Sequence, residues 1–180
     1  MSSDSLFMQE ALKEAKQAFD KGEVPVGAIV VIDGEIIARA HNLVETFRDA
    51  TAHAEVLALR AAAAQLGNWR LNEATLYCTL EPCAMCAGAM ILSRVGTLVW
   101  GAKDMRHGAH GSWVNLLDAE HPIHTLTVRS GVCESESAEL MRTFFQMRRR
   151  HGTDIRRDDR AAEEKAPGLC ANDRAACHCR

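Results

Sequence analysis

Long apolar runs are missing from this 180-residue chain, and so is any excess of positive charge. No apolar run approaches the ~18 residues that a membrane-spanning helix needs, so we expect no spanning segment, no signal peptide and no membrane partner. Lysine and arginine number 21 against 24 aspartates and glutamates. This balance excludes the overall basic character of many nucleic-acid-binding proteins, so any contact with a polyanion must come from local clusters.

A disulfide framework is also not expected, although the chain has seven cysteines. With 47% hydrophobic residues, the chain can form the core of one domain without such bonds, so we expect reduced thiols and a cytoplasmic protein. Cys83 and Cys86 have the C-x-x-C spacing, and no second pair lies near enough to complete a four-cysteine structural zinc site. A redox motif and a structural metal site remain alternative interpretations of this pair.

The most informative motif of the chain combines these cysteines with a histidine and a glutamate. His53-Ala54-Glu55 and the later Pro82-Cys83-Ala84-Met85-Cys86 supply one imidazole and two thiolates. Three such ligands are typical of a catalytic Zn²⁺ that keeps its fourth position for water and lowers the pKa of that water to about 7. Glu55 is placed to take the proton, and H-x-E with P-C-x-x-C is the signature of zinc-dependent nucleobase deaminases. We therefore predict one zinc ion per subunit on His53, Cys83 and Cys86, and Glu55 as the catalytic group.

Alternating helical and apolar segments predict an α/β domain. The expected helices cover residues 6–21, 53–66, 83–93, 112–117 and 134 to about 150. The expected strands cover residues 27–32, 35–41, 75–79, 97–100 and 125–129, and the first two form a hairpin across Asp33-Gly34. The metal ligands would then lie at two helix starts, where the helix dipole favours thiolates.

The expected domain covers residues 1–151, and residues 152–180 are predicted to be a disordered extension. Balanced charge and the absence of an apolar period favour disorder there. The extension ends in a cluster that could chelate a metal adventitiously but has no familiar zinc spacing. Its members are Cys170, Cys177, His178 and Cys179.

Several segments together resemble the bacterial tRNA-specific adenosine deaminase family, over about residues 5 to 150. They are Val24 to Ala28, Asn42, Thr51 to Glu55, Thr79 to Met90, Gly101 to Asp104 and Phe144 to Arg149. The resemblance implies a three-layer α/β/α cytidine-deaminase-like fold with a mixed five-stranded sheet, and a homodimer. It also implies hydrolytic deamination of adenosine to inosine at the wobble position in the anticodon arm of tRNA. No nucleotide cofactor is expected.

The residues expected to contact the substrate come from two arguments. The resemblance implies that Asn42 hydrogen-bonds the flipped base and that Asp104 lines the nucleotide pocket near the sugar. Without the resemblance, the sequence favours interpreting Asn42 as a turn residue and Asp104 as a loop carboxylate. Local charge and an aromatic ring indicate further RNA contacts, although arginines at a helix end can also simply offset its dipole. These further residues are Lys103, Arg106, Phe145, Arg148 and Arg149.

Two other functions stay open at this point. A deaminase for a free base or nucleotide, such as guanine or cytosine, would use the same zinc chemistry without needing an anticodon arm. A non-catalytic RNA-binding or partner subunit would have no use for Glu55. A comparison of substrates separates the first alternative, and the presence of any turnover separates the second.

Overall fold

The computed structural model describes residues 2–118 and 120–163, with side chains as far as residue 150. It divides into two compact units, one ending at Phe144 and the other beginning at Phe145. The elements in chain order are α1 (Ser3–Asp20), β1 (Gly27–Ile32), β2 (Glu35–His41), α2 (Val44–Phe47), α3 (Ala54–Leu66), β3 (Thr75–Leu80), α4 (Ala84–Leu92), β4 (Thr97–Ala102), β5 (Thr127–Arg129) and α5 (Glu134–Glu163). Within the described ranges, none of the helices is both long and apolar enough to cross a bilayer.

The strands form one mixed sheet in the order β2-β1-β3-β4-β5. β1 is antiparallel to β2 and β3, whereas β3, β4 and β5 run parallel. Asp33 and Gly34 both have positive φ, 50° and 78°, as a two-residue hairpin turn of type I′ requires. The predicted hairpin and the predicted mixed five-stranded sheet are therefore confirmed.

Helices cover both faces of the sheet because successive strand residues point to opposite sides. Ala28 of β1 belongs to a buried cluster with α3 and α4, whereas its neighbour Ile29 belongs to a second cluster with α1. The start of α5 joins the α1 face, where the rings of Phe19 and Phe144 meet edge to face with centroids 5.8 Å apart. The sheet is thus the middle of three layers, with the C-terminal ends of β3 and β4 leading into the site described below.

The prediction of a helix near residues 112–117 is wrong. Residues 111–118 form turns and bends, with an isolated bridge between His110 and Asn115. A helix needs each N–H to donate to the carbonyl four residues earlier. Here the N–H groups of Trp113 and Val114 both donate to the carbonyl of Gly108 instead.

Other predicted boundaries also shift. Helix α2 lies in a segment where neither a helix nor a strand was predicted, and β5 is shorter than the predicted strand. Helix α5 continues to Glu163, beyond the predicted end near 150, so residues 152–163 have a helical backbone where a disordered extension was expected. Residues 164–180, with Cys170, Cys177, His178 and Cys179, lie outside the described residues, and the domain boundary at 151 stays a prediction.

The packing of α1 generates a stability prediction. Met8 is fully buried against the sheet, so Met8→Ala should lower the free energy of unfolding by about 2–5 kcal/mol. Leu6 lies on the same helix and is 56% exposed, so Leu6→Ala should change the free energy of unfolding by less than about 0.5 kcal/mol. Urea denaturation followed by circular dichroism measures both. Equal losses of unfolding free energy in the two variants would contradict the conclusion that α1 buries the face carrying Met8 and exposes the face carrying Leu6.

Candidate active site

Two helix starts bring the predicted metal ligands together. His53 is the N-cap residue of α3, and Glu55 lies in the first turn of that helix. Cys83 is the N-cap residue of α4, and Cys86 follows within its first turn. Backbone N–H groups and the positive end of the dipole therefore point towards both thiols, as the sequence predicts.

The three ligand atoms form a compact cluster. Nδ1 of His53 lies 3.6 Å from Sγ of Cys83 and 3.5 Å from Sγ of Cys86, and the two sulfurs are 3.6 Å apart. Cys86 is buried, whereas His53 and Cys83 are partly buried. Among the described residues, these three form the group of histidine, cysteine and acidic side chains whose ligand atoms lie close enough together, within 4.8 Å of one another, to hold a metal ion.

Protons are unequally shared within this cluster. The contact between the two thiols lowers the pKa of Cys83 to about 4 and raises the pKa of Cys86. The hydrogen bond to Cys83 raises the pKa of His53 against the opposing effect of burial. The two thiols and the imidazole therefore share protons, and a cation at the cluster would take the place of a shared proton.

Glu55 is a carboxylate in a nearly dry environment, with 4% of its surface exposed. Burial raises the pKa of Glu55 above its ordinary value, and its own backbone N–H and the charge of His53 offset this only in part. A raised pKa suits a group that takes up a proton and returns it near neutral pH. The carboxylate is not part of the three-residue ligand set.

Asn42 is buried at the end of β2 and is tied to this site through the backbone. The N–H of the next residue, Leu43, donates to the carbonyl of Ala52, which directly precedes His53. The side-chain nitrogen of Asn42 lies 3.3 Å from a carboxylate oxygen of Glu23. Its predicted contact with the base remains a prediction.

A second buried carboxylate, Glu81, holds the loop between β4 and β5 against α4. It accepts hydrogen bonds from the N–H groups of Asp104, His110 and Ser112, at 3.2, 2.9 and 3.2 Å, and from the Ser112 hydroxyl. A Cβ atom at Gly108 would lie 2.4 Å from the Glu81 side chain, so the loop can approach Glu81 this closely only with glycine at residue 108. The loop consequently lies beside the metal ligands, where Gly108 forms a bridge with Cys83.

The predicted substrate residues of this loop have different surroundings. The Asp104 carboxylate accepts from the N–H groups of Arg106 and His107 and lies 3.4 Å from the His107 ring, so it shapes the loop itself. Lys103 and Asp104 line a shallow cavity that also includes Arg142. The side chains of Lys103 and Arg106 are exposed.

The remaining predicted RNA contacts belong to the second unit. Phe145, Arg148 and Arg149 lie along α5, and all three side chains are exposed in that unit. The neighbouring Phe144 differs, because it is buried in the first unit against Phe19. Adjacent residues of a helix point about 100° apart, so one ring can fill the core while the next faces outward. The roles predicted for the three exposed residues remain predictions.

Sequence reasoning missed Glu23 and Glu81. Both are about 1% exposed and accept several N–H donors from distant parts of the chain. Glu81 could have been noticed because it directly precedes Pro82 and the cysteine pair. Glu23 gives no comparable signal, since it adjoins neither the cysteine pair nor the histidine motif in sequence.

Comparison with known proteins gives consistent results. The model of the MafB19-like deaminase family matches residues 1–149. The tRNA-specific adenosine deaminase of Bacillus subtilis (strain 168) is 55% identical over 146 residues, which cover 81% of this chain and 91% of that protein. The chloroplastic tRNA(adenine(34)) deaminase of Arabidopsis thaliana is 52% identical over 161 residues, or 81% of this chain, but the chain spans only 12% of that longer protein.

Solved structures share the fold. A structure from a study of A-to-I editing by tRNA:A34 deaminases at the wobble position is similar with a TM-score of 0.72 and 46% identity. The alignment covers 74% of this chain and 97% of that chain. This similarity confirms the predicted cytidine-deaminase-like α/β fold.

The ligand cluster generates a prediction about metal content. Purified protein should hold about one divalent metal ion per chain, and Cys83→Ala should lose most of it because two ligands hold a metal ion far more weakly than three. Cys78→Ala is the matched control, since the Cys78 thiol is also buried but donates to the carbonyl of Leu80. Plasma mass spectrometry measures both variants. Equal metal content in Cys83→Ala and unmodified protein would contradict the site.

Proposed function

Because this chain belongs to the MafB19-like deaminase family, we propose that it is a tRNA-specific adenosine deaminase that converts adenosine to inosine at the wobble position. The observation that carries the proposal is a three-ligand metal cluster beside a buried carboxylate of raised pKa. Relatives with more than 40% identity over most of their length, including the Bacillus subtilis protein, are named for this activity and support the choice of adenosine in tRNA.

Zinc fits the donor set. Tetrahedral zinc with bonds of about 2.3 Å to sulfur and about 2.0–2.1 Å to nitrogen sets sulfur ligands about 3.8 Å apart and sulfur and nitrogen about 3.6 Å apart. The corresponding separations among Cys83, Cys86 and His53 are 3.6, 3.6 and 3.5 Å. When bound, zinc supplies a Lewis acid that lowers the pKa of water to about 7. One zinc ion per subunit is therefore part of the proposal.

Glu55 moves the protons of the reaction. Adenosine and water give inosine and ammonia, so the oxygen adds to C6 of adenine and the amino group leaves. In the proposed sequence Glu55 takes one proton from the attacking water and delivers it to a ring nitrogen. It then takes the second proton from the new hydroxyl on C6 and passes it to the departing amine, which leaves as ammonia. The first turn of α3 and the surrounding core keep this carboxylate away from bulk water, which raises its pKa and lets it hold the proton between the two transfers.

The substrate is proposed to be the anticodon arm of tRNA. Asn42 would meet the flipped base, and Asp104 would lie near the sugar. The net charge of −3 leaves the phosphates to local positive groups. The proposed contacts are Lys103, Arg106, Phe145, Arg148 and Arg149.

A cytoplasmic homodimer completes the proposal. Met85 and Leu92 lie seven residues apart on α4 and therefore on one face of the helix, and both expose apolar surface, 60% of the side chain in the case of Leu92. Exposed apolar surface of this kind, next to the metal ligands, suits contact with a second copy of the chain.

The decisive experiment compares substrates. An anticodon arm with adenosine at the first anticodon position should give inosine, whereas the same arm with guanosine or cytidine there, free adenosine and free guanine should give no appreciable product. Mass spectrometry of the nucleosides measures the outcome. Faster deamination of free guanine or of a cytosine compound would favour the free-base or nucleotide alternative, and no turnover of any substrate would favour a non-catalytic subunit.

The role of Glu55 makes a separate prediction. Glu55→Gln should keep the metal ion and the fold yet lower turnover by at least about 10²–10⁴-fold, because one group serves several proton transfers. Glu73→Gln is the control, since Glu73 is exposed and lies outside the site. Single-turnover rates and metal content are measured together. Loss of the metal ion from Glu55→Gln would instead make Glu55 a ligand.

A further inference from the structure

Glu23 is a buried carboxylate in the loop between α1 and β1, and it is paired with three N–H donors. One oxygen accepts from the backbone N–H of Thr46 at 2.7 Å. The other accepts from the backbone N–H of Glu45 at 3.2 Å and from the side-chain nitrogen of Asn42 at 3.3 Å. Only 1% of its surface is exposed, so water cannot replace these partners.

We propose that Glu23 is a positioning residue that fixes the side-chain amide of Asn42 for recognition of the purine base. This inference rests on the proposed function, in which Asn42 meets the base. An ionised carboxylate can only accept hydrogen bonds, so the amide nitrogen of Asn42, not its oxygen, faces Glu23. The amide oxygen and the second N–H are then left, in a fixed orientation, as one acceptor and one donor for a base edge.

Glu23 is suited to this task because it stays charged. Burial raises the pKa of Glu23, but the hydrogen bonds from Thr46, Glu45 and Asn42 outweigh that effect and hold the pKa below its ordinary value. A charged acceptor binds the amide N–H more strongly than a neutral one. The orientation of Asn42 is therefore determined before any substrate arrives, which reduces the entropy lost on binding.

The same carboxylate also has a structural role. Glu45 and Thr46 lie in the first turn of α2, so Glu23 satisfies N–H groups that this short helix leaves without partners. A loss of activity in a Glu23 variant could arise from this role alone. The test must therefore separate an effect transmitted through Asn42 from a general effect on the loop.

A double-mutant cycle on kcat/KM for the adenosine-containing anticodon arm makes this separation. Glu23→Gln keeps the shape of the side chain but replaces one accepting oxygen with an NH₂ group that faces a donor. We expect Asn42→Ala and Glu23→Gln each to lower kcat/KM by about tenfold or more, as expected for a buried hydrogen bond left unmade. When Glu23→Gln is introduced into the Asn42→Ala protein, it should change kcat/KM by less than about twofold. Such a loss of effect in the second background is the coupling expected of two residues that act as a unit.

Two controls accompany the cycle. Glu45→Gln removes a negative charge from α2 but leaves the backbone N–H that bonds Glu23, and its side chain is exposed, so kcat/KM should not change. Thermal unfolding reports the structural role, and Glu23→Gln should lower the melting temperature both in the otherwise unmodified protein and in the Asn42→Ala variant.

The possible outcomes are distinct. Losses of kcat/KM that multiply in the double variant, or full activity in Glu23→Gln, would overturn the positioning role while leaving the proposed function in place. Unmodified protein that forms no inosine from the arm would overturn the proposed function, and this inference with it. The inference would be supported if Asn42→Ala and the double variant have nearly the same kcat/KM while the double variant has the lower melting temperature.

Discussion

The cost of burying a negative charge governs the architecture around the cluster of His53, Cys83 and Cys86. Three carboxylates, Glu23, Glu55 and Glu81, lie within a few per cent of full burial. Transfer of an ionised carboxylate from water into a protein interior is costly unless donors replace the lost water. The chain meets this cost in two ways. Glu23 and Glu81 receive N–H donors from other segments, whereas at Glu55 the effect of burial outweighs that of its donors and the pKa rises instead.

This difference divides the three carboxylates by role. Glu23 and Glu81 hold loops in place, because each collects donors from segments about 20 to 30 residues away in sequence. Glu55 differs from them, because burial raises its pKa above the ordinary value, as the proposed proton transfers require. The same fold therefore accommodates buried groups of one chemical type in two different ways.

The sequence was most informative where local chemistry decides the structure. Asp33-Gly34 predicts its hairpin because few other pairs adopt positive φ twice in succession, and the spacing of His53, Glu55, Cys83 and Cys86 predicts the metal cluster. It was least informative where partners are distant. The backbone N–H groups that meet Glu23 and Glu81 become neighbours only once the sheet has formed. One of them belongs to Ser112, in the segment that was wrongly predicted to be a helix.

The close approach of Gly108 to Glu81 has a consequence for how this protein can change over generations. Substitution at Gly108 forces a backbone or carboxylate to move, so the loop between β4 and β5 is constrained at this residue. In the turn just before it, by contrast, Met105 and Arg106 expose their side chains. New side chains can therefore be sampled in this turn while Gly108 keeps its contact with Glu81, so the surface of the loop can diverge among descendants while the cluster of His53, Cys83 and Cys86 is inherited intact.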